Sequence, residues 1–149
     1  GGRHLSPARR GAGWDRRGEA PQEGKLMAKV LTQAQAKSMG LPGRRSLEIV
    51  SGEKGSSAVT LRLVEIPVPK PGDAMRGPHY HQGFEECIFV MAGEGCTEAD
   101  SGSYPLKAGD TILIPSGERH MTRNTGAEPL VLLCFFPVAD ITKRTQENR

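Results

Sequence analysis

His79-Tyr80-His81-Gln82-Gly83-Phe84-Glu85-Glu86 decides the reading of this chain, together with Gly109-Asp110-Thr111-Ile112-Leu113-Ile114-Pro115-Ser116-Gly117-Glu118-Arg119-His120 and the Asn124 that follows. Two side chains two residues apart on an extended strand point to the same face, so His79 and His81 can present both rings to one ion. Glu86 lies beyond Gly83, where a bulge or turn can reset the register so that Glu86, Ile88 and Val90 share a face. His120 enters from a different strand, after Gly117 lets the backbone turn. Neutral imidazoles and a carboxylate suit divalent first-row metals. One histidine in a strand is more often a satisfied polar residue than a ligand. Three of the chain's four histidines with a carboxylate in reach are harder to explain that way. Four ligands leave coordination positions open on an octahedral ion, which a catalytic site needs and a closed structural site lacks.

Outward from these segments, short apolar runs alternate with turn residues. Leu47–Val50, Ala58–Ile66, Cys87–Met91, Cys96–Ala99, Tyr104–Leu106, Thr111–Ile114, His120–Arg123 and Leu130–Phe136 read as strands. Between them stand Ser51-Gly52-Glu53-Lys54-Gly55, Ala92-Gly93-Glu94-Gly95, Asp100-Ser101-Gly102-Ser103 and Asn124-Thr125-Gly126 as turns. Pro67, Pro69 and Pro71-Gly72 forbid regular ladder pairing. Leu130–Phe136 is unbroken and reads as a strand buried on both faces. Such strand spacing predicts an all-β antiparallel sandwich or small barrel. A short helix is expected over Gln33–Met39, with Thr32 as N-cap and Gly40 as stop, and another in the polar tail.

The organisation expected is a basic N-terminal arm over 1–45, a β-barrel over 46–138 and a tail over 139–149. The formal net charge of +3 is unevenly spread. Residues 1–45 carry ten Lys/Arg against three Asp/Glu, and the rest is net acidic. A basic arm with one aromatic, Trp14, and no nucleic-acid module predicts no nucleic-acid partner. Residues 1–26 lack apolar periodicity and read as a disordered leader. No apolar run approaches the eighteen or so residues of a membrane span, so no membrane association is expected. The three cysteines, Cys87, Cys96 and Cys134, have no metal or redox spacing; they read as buried thiols of a cytoplasmic protein.

The paired segments resemble the cupin motifs. The first has the core H-x-H, three or four residues, E, six residues, G, met by His79, His81, Glu86 and Gly93. The second is G, five residues, P-x-G, two residues, H, three residues, N, met by Gly109, Pro115, Gly117, His120 and Asn124. The upstream glycine of the first motif is displaced, because Gly72 is one residue too far from His79 and Gly77 too near. The resemblance covers Leu47 to Val138. It implies an antiparallel double-stranded β-helix, or jelly-roll barrel, with an irregular arm and short flanking helices. It also implies His79, His81, Glu86 and His120 as ligands of one divalent ion, from among Fe, Mn, Ni, Co and Zn. Glu85 is the alternative carboxylate, and a candidate catalytic base if it faces the pocket.

Strand alternation supplies further expectations. Thr122 shares the face of His120 and lines the pocket, whereas Tyr80 points away. Arg62 sits either at a rim or toward an anionic substrate. Met75, Arg76 and Phe84 flank the first motif on loops. Phe135, Leu133 and Ile88 read as core, and Arg119 and Arg123 as surface. Three functions follow. An enzyme of oxygenase, isomerase, decarboxylase or lyase type would act on a small oxygenated acid or sugar derivative. A binding or sensing module would capture such a ligand without turnover, favoured if the pocket holds no second acid or base. A purely structural barrel is disfavoured by retention of all four ligand residues. The resemblance also implies a homodimer.

Overall fold

Side chains alternating in burial along short strands build two antiparallel sheets that face each other across one core. The computed structural model describes residues 27–147. The strands are β1 (Lys37–Ser38), β2 (Arg45–Val50), β3 (Thr60–Ile66), β4 (His79–His81), β5 (Glu86–Ala92), β6 (Glu94–Ala99), β7 (Gly102–Lys107), β8 (Thr111–Ile114), β9 (His120–Asn124), β10 (Leu130–Phe136) and β11 (Thr145–Glu147). The larger sheet runs β1-β2-β3-β10-β5-β8 and the smaller β11-β4-β9-β6-β7. This is the expected all-β architecture of two antiparallel sheets. Leu31–Arg149 forms one compact unit, and the described residues ahead of it, 27–30, carry no regular structure. The leader expected over residues 1–26 lies outside the described residues.

The core lies between the sheets. Val90 and Leu130 are fully buried, with Leu132, Ile88, Ile114, Phe136 and Ile141 packed around them. Truncating Leu130 or Leu132 to alanine would cost about 2–5 kcal/mol. Gly93 joins β5 to β6 at φ 85°, and a Cβ there would meet the Pro129 carbonyl oxygen at 2.5 Å. Only glycine fits that corner. Asn124 ties the sheets together: its Nδ2 donates to the Ile66 and Glu128 carbonyls, and its Oδ1 accepts from Gly126 N–H. The turn role expected of both residues follows from these contacts.

Three local expectations are corrected. In place of a helix over Gln33–Met39 there is one 3-10 turn, Gln33–Gln35, and then β1, whose residues pair with β2. Sheet pairing overrides the local helix tolerance of the alanine-rich stretch. The tail forms a 3-10 turn at Thr142–Arg144 and then β11, which pairs with β4, so the smaller sheet extends past residue 138. β10 is buried on one face only. Leu130, Leu132, Cys134 and Phe136 point inward, Val131 and Leu133 are half-buried, and Phe135 is 39% exposed rather than core.

Candidate metal centre

β4 places His79 and His81 on the inner face of the smaller sheet, both buried. His120 opens β9 and pairs directly with His79 across the ladder, which brings their ring centroids to 4.4 Å. The chain reaches β9 through Gly117, at φ 83°, whose N–H donates to the His81 carbonyl over 2.7 Å. That bond fixes the turn delivering His120 beside β4. Glu86 opens β5 in the facing sheet and shares its inner face with Ile88 and Val90. One potential ligand atom from each of the four residues lies within 4.8 Å of the others. Sequence spacing therefore anticipated a cluster that the fold does assemble.

Hydrogen-bond chemistry tests whether the cluster suits a cation. His120 Nδ1 lies 2.9 Å from the Glu118 carbonyl, which can only accept, so Nδ1 carries the proton. His81 Nδ1 lies 2.8 Å from Thr145 Oγ1, and that hydroxyl donates its single proton to the Ile141 carbonyl. Nδ1 of His81 therefore carries a proton too. In both neutral rings the Nε2 lone pair then points at Glu86 Oε2, 2.9 Å from His81 and 3.2 Å from His120. Three acceptors converge with no proton to share while both rings are neutral and Glu86 is ionised. A proton or a metal ion resolves the conflict. Separations of about 3 Å are those of neighbouring ligand atoms on an octahedral ion with bonds of about 2.1 Å. The residues present fit a divalent ion.

Electrostatics point the same way. Burial pushes His79 down to about 2, with Arg76 adding to the effect, so its ring stays neutral and able to coordinate. Its Nδ1 is buried without a hydrogen-bond partner among the described residues. Burial alone would raise the Glu86 carboxyl, but in the metal-free cluster a proton on Nε2 of His120 or His81 makes a hydrogen bond to it that outweighs burial and holds the group well below the usual carboxylate range. Burial works to lower His120, and the bond to Glu86 overcomes it and raises the ring.

The cluster opens onto a cavity of about 40 Å³, room for about three water molecules. Arg44, Arg62 and Arg76 line it, with Thr122, Ser46 and apolar groups including Ile88, Leu132 and Phe136. The Arg62 guanidinium is engaged by Glu48: Nε donates to Oε2 over 2.8 Å, and Nη2 lies 2.7 Å from the same oxygen in ion-pair contact without hydrogen-bond geometry. This resolves its two alternatives, because Arg62 is buried in the cavity wall and already carries a counter-ion. Arg44 and Arg76 differ. Nη2 of Arg44 donates to the Thr122 carbonyl, and Nη2 of Arg76 to Glu147, yet the Nε of each is buried without a partner among the described residues. Burial, then repulsion from Arg76, lowers Arg44 to about 10, so it remains cationic at neutral pH.

The other expected residues fall as follows. Thr122 does line the cavity, and its hydroxyl shares a 2.7 Å bond with that of Thr97. Phe84 is buried and stacks on His81, with centroids 5.3 Å apart. Met75 is 52% exposed and outside the cavity wall. Arg123 is exposed and bonded to Glu98. Glu85 is exposed and absent from the cavity wall, because it falls one residue out of step with Glu86 at the head of β5. The candidate base of the sequence reading therefore does not face the pocket, and Glu86 is the carboxylate of the cluster. Arg44, Thr145 and Glu147 were missed altogether. Each is brought in by pairing between residues distant in sequence, and none belongs to a local motif.

Residues 68–136 match the family model described as cupin domain. The chain carries a cupin domain. Among proteins similar to this cupin, the oxalate-binding protein of Thermotoga maritima is 38% identical over 66 residues, covering 44% of this chain and 54% of that protein. The chain spans about half the length of the curated relatives it matches. The polyketide cyclase RemF from Streptomyces resistomycificus superposes with a TM-score of 0.64 at 21% identity, over 83% of this chain and 87% of that one. Oxalate decarboxylase from Bacillus subtilis, described with Mn(II) centres, gives a TM-score of 0.64 at 23% identity, over 77% of this chain and 30% of that one. At these identities the two solved structures share the fold.

Proposed function

We propose that this cupin binds one divalent transition metal through His79, His81, Glu86 and His120, and captures a small organic acid anion on it. The observation that carries the reading is the pairing of convergent acceptors with two guanidinium groups whose buried Nε–H donors lack partners among the described residues. A divalent ion on one carboxylate leaves a net positive centre, and Arg44 and Arg76 add to it. An enclosed positive site of this kind selects anions. A cavity of about 40 Å³ suits an acid of a few heavy atoms such as oxalate. Mn(II) is the first metal to test, on account of the Mn(II) centres described for the oxalate decarboxylase.

Capture without turnover is favoured over proton-transfer chemistry. Outside the ligand set, the titratable groups of the cavity wall are three arginines and Cys134, whose thiol burial pushes well above its ordinary value. None can exchange a proton near neutral pH. Isomerase, lyase and proton-assisted decarboxylase chemistry therefore lacks a base in the cavity wall outside the ligand set. An oxygenase is the second reading, supported by a four-residue ligand set that leaves positions open on a six-coordinate ion. Calorimetric titration of Mn(II)-loaded and metal-stripped protein with oxalate tests the proposal. Binding that requires the metal, with oxalate recovered unchanged, supports it. Equal binding with and without metal would refute it, and oxygen consumption would move the assignment to the second reading.

We also propose a homodimer. Phe89, Met91, Leu113 and Phe135 lie on the outer face of the larger sheet with 42, 51, 58 and 39% of their surface exposed. The ladder aligns Phe135, Cys87 and Leu113 in one row across β10, β5 and β8. A contiguous apolar sheet face of this extent marks an interaction surface, and a second copy offers the matching one.

A further inference from the structure

Beyond the family match, which ends at Phe136, the chain returns to the site as a strap. Its last strand, β11, pairs with β4 in the register Thr145↔His81 and Glu147↔His79. Directly paired residues share a face, so Thr145 and Glu147 point inward with the histidines while Gln146 follows Tyr80 outward. A slip of one residue would reverse this. The register is held on both sides of the sheet. Gln82 N–H donates to the Arg144 carbonyl over 2.8 Å. The Arg144 guanidinium covers the ring of Phe84 at 5.4 Å, and Phe84 in turn stacks on His81.

The hydroxyl of Thr145 is committed in one direction. It donates to the Ile141 carbonyl over 2.6 Å, so toward His81 Nδ1 it can only accept. It therefore requires the proton on Nδ1 and leaves the Nε2 lone pair facing Glu86. The Nδ1 of His120 is satisfied by backbone and that of His79 by nothing. His81 is thus the member of the cluster whose tautomer a side chain sets.

We propose that Thr145, at the end of a C-terminal strap outside the cupin core, is a positioning residue that fixes the His81 tautomer and orientation for metal binding. The proposal rests on the metal reading of the cluster, but its structural half does not. Valine at 145 keeps the shape and removes the acceptor, while serine keeps the acceptor. Removing a partner that orients a metal-ligating histidine weakens affinity by about 10- to 100-fold.

The test measures Zn(II) affinity by chelator competition at pH 7.5 for the wild type, Thr145→Val and Thr145→Ser. A long-range proton–nitrogen spectrum of the metal-free wild type reads the histidine tautomers. The expected result is about 10- to 100-fold weaker binding for a Thr145→Val variant that still unfolds cooperatively, with wild-type affinity for Thr145→Ser. His81 is expected protonated on Nδ1. Affinity of Thr145→Val within twofold of wild type, or His81 without a proton on Nδ1, would overturn the proposal. If Thr145→Val fails to fold, the serine variant and the wild-type spectrum still decide it. A wild type that binds no Zn(II) would refute the metal reading alone, and the spectrum would still judge the Thr145 bond.

Discussion

Replacing Arg76 with methionine should weaken anion binding and strengthen the fold at once. The Arg76 side chain is 12% exposed, its Nε is buried without a partner, and its remaining ion pair is to Glu147, whose side chain is 44% exposed. An exposed partner of this kind contributes about 0–1 kcal/mol. A buried donor left unpaired costs about 1–3 kcal/mol, and the charge of Arg76 also bears on Arg44. Methionine removes the orphan donor and the like-charge repulsion while keeping the volume. The free protein should therefore gain about 1 kcal/mol in stability. A hydrogen bond from a charged group to a ligand carboxylate contributes about 1.5–3 kcal/mol, which is roughly a tenfold to hundredfold loss of affinity when it is removed. Calorimetry with oxalate on the Mn(II)-loaded variant, alongside denaturant unfolding of the stripped protein, measures both. Oxalate affinity within twofold of wild type would refute the role of Arg76 as an anion donor. Destabilisation by more than about 1 kcal/mol would show that the orphan-donor argument is wrong.

Glu48→Leu leaves the Arg62 charge buried without its counter-ion and should cost about 3–5 kcal/mol in denaturant unfolding, most of it recovered in the Glu48→Leu/Arg62→Met double variant. Metal-stripped protein should lose stability as pH falls below about 6.5. The folded pKa of His79 lies far below its unfolded value, so its contribution is complete above that pH and is lost on acidification. Glu86, also depressed, adds to the loss at lower pH, whereas His120, raised by Glu86, contributes in the opposite sense only above about 6.5. A melting temperature that rises as pH falls from about 6.5 to about 4.5 in chelator would contradict this. Leu113→Glu, on the exposed face of the larger sheet, should convert a dimer to a monomer in light scattering without loss of fold. A dimer that persists in that variant would place the interface elsewhere.

The parts of the fold that were legible in the sequence are those written in local periodicity. Thr111–Ile114 and Leu130–Phe136 carry their own strand signal, and the structure has strands with those bounds. His79, His81, Glu86 and His120 were legible because ligand spacing and strand alternation coincide with the two motifs. The two-residue β1 and three-residue β11 are too short for any period, and they exist because a neighbouring strand offers an unpaired edge. Leu130–Phe136 is an apolar run that cannot by itself distinguish one buried face from two. Adjacent carboxylates such as Glu85 and Glu86 differ only in register, and a strand sends neighbours to opposite faces. Arg44 and Thr145 enter the site by contacts spanning 78 and 64 residues, with Thr122 and His81, which no local pattern encodes.

The metal centre is tested most directly by inductively coupled plasma mass spectrometry on untagged protein reconstituted with Mn(II) and desalted. About one equivalent in the wild type is expected, falling to background in His81→Ala and His120→Ala variants that keep their β-sheet circular dichroism. A folded wild type that retains no metal, or alanine variants that retain a full equivalent, would contradict the assignment of His79, His81, Glu86 and His120 as one metal site.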